Sequence, residues 1–212
     1  MPNSSLSLAD LQQRITSTPQ AVFLVLLTLE HNDYDGWVRC IHQLLAWIAK
    51  EFAQNPELRT GLSEDEITIQ VVSHLRQAGF AADHETKVGG HCDIKISGSF
   101  EKHWLAEAKI KGGTSKYDYR WLLKGVNQLL NRYSTGEIGQ NHGGFLIYCK
   151  QSHIDDVMRQ WKKKLVQELE GSDFLPCEWG TAGFRSTLLH KRTGRSYSVQ
   201  HIPFNLYFGP TA

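Results

Sequence analysis

The chain has 212 residues, of which 41% are hydrophobic and 21% charged, with a formal net charge of +1. This is ordinary globular composition and excludes a disordered chain. Four cysteines (Cys40, Cys92, Cys149, Cys177) stand far apart with no CxxC pair, which argues against a structural zinc site and a disulfide framework and suits a reducing compartment.

Residues 1–60 read as a helical N-terminal extension. Ser7 is placed to cap a first helix and Pro19 to open a second that carries Val22, Leu24, Leu26 and Leu27. The longest apolar run, 21–27, is well short of the roughly 20 residues needed to span a bilayer. No basic segment precedes an apolar stretch at the N-terminus, so the expectation is a soluble, cytoplasmic protein without a signal peptide. After a turn-like stretch at 31–36, Trp37, Ile41, Leu44, Leu45, Ile48 and Phe52 recur at spacings of three and four, which predicts a third helix ending at Asn55-Pro56. An aromatic and leucine stripe of this kind is core or interface material.

From residue 61 the pattern changes. Ser63 precedes a helix with Ile67, Val71, Leu75 and Ala78 on its apolar side, and Gly79 ends it. Three strands are predicted at 80–88, 91–97 and 104–111, with Gly89-Gly90 as a tight turn and Gly98 as a break. A helix over 119–133 presents Leu122, Val126, Leu129 and Tyr133 on one side, and 143–150 reads as a buried strand. Helix, three strands, helix, strand implies an α/β layer architecture for 61–150. The segment 151–212 is read as a helix at 153–170 with the basic run Lys162-Lys163-Lys164, then a β-hairpin of 184–190 and 196–202 turning at Thr193-Gly194, with a further strand at 205–208.

The chemistry gathers on the second and third strands. Alternation puts His91 and Asp93 on one face of the second, with Cys92, Ile94 and Ile96 on the other. In the third strand Glu107 and Lys109 alternate with the small residues Ala106 and Ala108. Two carboxylates and a lysine can therefore converge at one end of a hairpin. Hard Mg²⁺ takes oxygen ligands and keeps several waters, so such a pair with a backbone carbonyl suffices for phosphodiester hydrolysis, and a lysine beside it can orient or deprotonate the attacking water, or stabilise the pentacovalent centre. Between 109 and 132 six basic residues (Lys109, Lys111, Lys116, Arg120, Lys124, Arg132) stand against one acid, Asp118. That segment is either a phosphate-contacting surface or a solvated helix face.

Asp93, thirteen residues, then Glu107-Ala108-Lys109 resembles the PD-(D/E)XK nuclease superfamily over roughly 61–150, with Gly90-His91-Cys92-Asp93 standing where the superfamily carries its proline and aspartate. The resemblance implies a restriction-endonuclease-like αβββαβ core. It implies Asp93, Glu107 and the Ala108 carbonyl as ligands of Mg²⁺ or Mn²⁺, and Lys109 as the catalytic lysine. The superfamily often adds an acid from the first helix. Glu66 is the first choice, ahead of Glu64 and Asp65, although Ser63 and Glu66 also form a capping-box pattern. Gln128-Leu129-Leu130-Asn131-Arg132-Tyr133 resembles the glutamine motif of resolvase-like members, which implies Gln128 at the site and Lys124 and Arg132 on backbone phosphates. Lys111 and His91 complete the expected nucleic-acid contacts, and His91 is equally open to a hydrogen bond with the glycine turn. There is no Walker loop and no dinucleotide-type glycine motif.

The function implied is a metal-dependent DNA endonuclease, by analogy an effector of a prokaryotic defence or restriction system, acting as a homodimer or with another subunit. Two alternatives remain open: a structure-selective repair or recombination nuclease, and a nucleic-acid-binding interaction module of a larger complex.

Overall fold

The computed structural model describes residues 33–87, 91–99, 101–112, 116–169, 173–178 and 180–209. The helices expected within 1–32 and the Gly89-Gly90 turn lie outside the described residues. Helix α1 (Tyr34–Phe52) starts where Asp33 accepts hydrogen bonds from the amides of Asp35 and Gly36, inside the stretch expected to be a turn. Its apolar stripe is buried throughout, and Ile41, Leu45, Ile48 and Phe52 have no exposed surface. Each such side chain contributes roughly 1.5–3 kcal/mol by leaving water.

A short 3₁₀ turn (Pro56–Arg59) leads to α2 (Glu64–Gln77), which opens on a complete capping box between Ser63 and Glu66. Gly79, at φ +94°, supplies the left-handed turn beyond its end. Strands β1 (Ala81–Lys87), β2 (His91–Ser97) and β3 (His103–Lys111) follow as an antiparallel meander. Helix α3 (Tyr119–Gln128) is capped by Asp118 and passes into a π-wound turn, Leu129–Tyr133. The single helix expected over 119–133 therefore changes winding after Gln128, and the four-residue stripe Lys124, Gln128, Arg132 falls out of phase at Arg132.

Strand β4 (His142–Cys149) and α4 (Ile154–Glu168) come next, then β5 (Asp173–Pro176), β6 (Phe184–Leu189) and β7 (Ser196–Asn205). Two expectations are corrected here. β5 carries no periodic signal and was not expected. The separate strand at 205–208 does not form, because β7 runs unbroken through Pro203 to Asn205. Proline fits there because the β6 register ends at Phe184↔His201, two residues short of it, so no ladder donor is required on that side.

The seven strands of the described residues form one mixed sheet in the order β1-β2-β3-β4-β7-β6-β5. Its centre, β3-β4-β7, is parallel and both flanks are antiparallel. The C-terminal hairpin thus places β7 in the middle of the sheet, hydrogen-bonded to β4. Helices cover both faces, as buried parallel strands require. One core joins α1 and α2 to Ile94, Ile96, Ala106, Ala108, Leu146, Tyr148, Ile202 and Phe204. The other joins α3 and α4 to Leu105, Phe145, Ile147 and Val199. No described helix is long and apolar enough to cross a membrane.

Candidate active site

The β2–β3 ladder runs from Ser97↔His103 to Ile94↔Ala106 and stops. Beyond that point the strands fork, and the Asp93 carboxylate takes the next ladder bond itself. Its Oδ2 accepts from the Ala108 amide at 2.7 Å. The fork also turns Cys92 away from Ile94 and Ile96. Expected on their face, Cys92 instead packs in the α3/α4 core.

Glu107 and Lys109 stand on the β3 side of this fork, only 2% and 5% exposed. Lys109 Nζ donates to Glu107 Oε1 at 2.6 Å, to the Ala108 carbonyl at 2.9 Å and to Glu64 Oε1 at 3.2 Å, and it lies 3.7 Å from Asp93 Oδ2. Glu64, the first residue of α2, also accepts from the Ile110 amide at 2.8 Å. It therefore ties the helix N-terminus, where the macrodipole favours an anion, to the end of β3.

Three carboxylates thus face one ammonium. Burial raises Glu107 to about 7, and repulsion from Asp93 adds to the rise. Burial also raises Asp93 and Glu64, against the opposing pull of Lys109 on both and of the Ala108 and Ile110 amides respectively. For Lys109 burial pulls downward, but the summed attraction of Asp93, Glu107 and Glu64 outweighs it and the ammonium is held on. Glu107 Oε2 is buried with no hydrogen-bond partner among the described residues. An under-satisfied buried carboxylate is costly and marks a functional cluster more often than a structural one.

This donor set fits a hard divalent cation in its chemistry: all-oxygen ligands, surplus negative charge and an orphaned carboxylate oxygen. Its present disposition is set by Lys109, on which the acids close. Among the described residues no group of three His, Cys, Asp or Glu side chains is spread to hold a metal ion. The Ala108 carbonyl, expected as a ligand, accepts from Lys109 instead.

Other expected residues are placed as follows. Glu66 is exposed in the capping box, where its Oε2 accepts from the Ser63 amide and hydroxyl at 2.7 Å, so Glu64 and not Glu66 is the α2 acid of the site. N1 and N3 of a helix point about 200° apart, and one side chain cannot serve both. Lys111 is buried, donates to Gln151 at 2.7 Å and lies over the Tyr119 ring, so it is withdrawn from any nucleic-acid surface. Lys124 and Arg132 are exposed. Gln128 is half-buried and makes no side-chain hydrogen bond among the described residues; it shares a stripe of α3 with Trp121 and Gly125 at spacings of four and three. The His91 side chain lies outside the described residues.

Sequence reasoning missed two members of the neighbourhood. Trp121 lies with its ring centre 5.3 Å from Lys109 Nζ and 5.4 Å from Lys124 Nζ, and its indole N–H is buried without a partner among the described residues. Gly125 lets α3 sit this close, since a Cβ there would stand 2.9 Å from Lys109 Cγ and 2.8 Å from the Phe145 ring. A glycine inside an amphipathic helix was the available signal. No family model, no curated protein and no solved structure matches the chain.

Proposed function

We propose that the chain is a divalent-cation-dependent nuclease that hydrolyses phosphodiester bonds in DNA, with a restriction-endonuclease-like core formed by α2, β1, β2, β3, α3 and β4. The observation that carries this reading is the convergence of Asp93, Glu107 and Glu64 on the Lys109 ammonium at the β2–β3 fork. Asp93 and Glu107, with Glu64 in place of Glu66, are the residues to hold Mg²⁺ or Mn²⁺, which when bound supplies Lewis acidity toward the phosphate and the attacking water.

The chain's own groups do the rest. Lys109, held charged by its neighbours, acts as a donor to the negative charge that develops on the phosphoryl oxygens, and not as a base. The Lys124 ammonium, exposed and 5.4 Å from the centre of the Trp121 ring, suits a backbone phosphate. Arg132, exposed on the π-wound turn, extends positive charge along that edge.

One observation favours a second reading. Lys109 occupies the Ala108 carbonyl and the acid oxygens that a cation would use, which suits a module that binds nucleic acid without cutting it. Incubation with linear, supercoiled and single-stranded DNA and with RNA, in Mg²⁺, Mn²⁺ or EDTA, separates the two. Cation-dependent cleavage that is lost in Asp93→Ala and Lys109→Ala proteins supports the nuclease. Binding without cleavage in either cation supports the module.

A further inference from the structure

On the opposite face of the sheet, under α1, lies a cavity of about 170 Å³ whose lining includes Arg39 and His42 of α1, His142 of β4, Arg185 of β6 and Gln200 of β7. The face follows from register. Gln200 pairs with Gly144 and Arg185, and the positions that alternate with it, Ile202 and Phe204, belong to the α1 core, whereas Lys109 pairs with Ile147 of the other core. The cavity is therefore separate from the Asp93–Glu107–Lys109 fork.

Its floor is rich in hydrogen-bond capacity that the protein does not use. Gln200 is 3% exposed, and its amide nitrogen has no partner among the described residues. The Arg185 guanidinium is half-buried, and neither it nor Arg39 has an ion-pair partner among the described residues. His142 turns Nε2 to Asp35 at 3.3 Å and leaves Nδ1 buried without a partner. His42 accepts from the Trp104 indole N–H at 3.1 Å, and because an indole only donates, the His42 ring is neutral. The permanent charge at the floor is thus the Arg185 cation. Two acids, Asp35 and Glu178, also line it; both are exposed, and Asp35 is engaged with His142.

A guanidinium and a buried primary amide turned into one cavity are the donors that recognise a planar or tetrahedral oxyanion, with arginine able to bind it bidentately. We propose that this cavity is a ligand site for an oxyanion, the phosphate or carboxylate group of a small molecule or of a nucleic-acid end, held by Arg185 and the Gln200 amide with Arg39 at its mouth. The site does not rest on the nuclease reading.

Calorimetric titration of the full chain with inorganic phosphate, with acetate, and with a dinucleotide carrying or lacking a 5′-phosphate tests it. Saturable binding of one anion is expected, weakened about tenfold or more in Arg185→Met, as expected for the loss of a charged hydrogen bond. Gln200→Leu should weaken it as well, and the rim variant Arg39→Met keeps the test decisive if either buried replacement fails to fold. Preference for phosphate, for acetate or for the phosphorylated dinucleotide identifies the source of the oxyanion. Asp93→Ala should bind as the unaltered chain does, whatever the fate of cleavage. The proposal is overturned by no saturable binding of any of these ligands, by unaltered affinity in both Arg185→Met and Arg39→Met, or by loss of binding in Asp93→Ala.

Discussion

Two buried polar clusters in this protein have opposite characters. In the α3/α4 core the Trp161 indole donates to His201 Nδ1 at 3.1 Å, and His201 Nε2 meets Ser186 Oγ at 2.9 Å. The indole can only donate, so the tautomer is fixed and Nε2–H donates to the serine. Burial pushes His201 down to about 3, so it is neutral at any ordinary pH. This cluster is uncharged and its ring nitrogens are both satisfied. At the β2–β3 fork, by contrast, three acids share one ammonium, Glu107 is lifted to about 7, and one buried carboxylate oxygen has no partner among the described residues. A paired neutral network specifies a core, whereas a cluster left charged and under-satisfied at a cost in stability is what binding and catalysis require.

The largest expected effect that sharpens this contrast is Lys109→Ala. Removing the shared cation leaves buried acids uncompensated, which costs about 3–5 kcal/mol, and cleavage should disappear with it. Urea denaturation at neutral pH measures the first part. A loss below 1 kcal/mol would mean that the fork is far better solvated than its burial implies.

Glu107→Gln should do the reverse to stability in the metal-free protein. Because the folded state raises this carboxyl from its usual value near 4.5 to about 7, folding binds its proton more tightly. The stability this contributes is fully present below the unfolded value and is lost as pH rises through the folded one. The amide variant should therefore melt higher than the unaltered chain at pH 8, with its advantage shrinking as pH falls from about 7 toward 4.5. Melting curves that stay parallel across that window would contradict the raised value.

Ser186→Ala strands the His201 N–H and should cost about 1–3 kcal/mol with cleavage unchanged. If a folded Ser186→Ala protein lost cleavage, the division between the two clusters would fail. The smallest effect belongs to Glu66→Ala, which removes the exposed half of a capping box and should lower the melting temperature only slightly, again without loss of cleavage. Glu64→Gln should impair cleavage, so the pair of variants separates the site acid from the capping acid.

Much of the fork was legible because strand alternation is a local rule: Asp93, Glu107 and Lys109 could be placed from their own neighbours. What stayed hidden depended on partners distant in sequence. Glu64 outranks Glu66 only once the capping box has claimed one and β3 has met the other. Lys111 reads as a surface cation until Gln151, forty residues on, is seen to hold it. The π-wound turn after Gln128 shifts Arg132 by a change in winding that amphipathic spacing does not encode. For the α/β class, alternating strands and helical stripes sufficed. The central position of β7 did not follow, since nothing within 196–205 says which strand it will pair with.

The most direct test of the account compares cleavage of linear DNA by the unaltered chain and by Glu107→Gln, in Mg²⁺ at pH 8, with circular dichroism confirming that both are folded. The account predicts cation-dependent cleavage by the first, abolished by EDTA, and a loss of at least about a hundredfold in the second, on the scale of removing one strong transition-state contact. Full activity in the Glu107→Gln protein would contradict it.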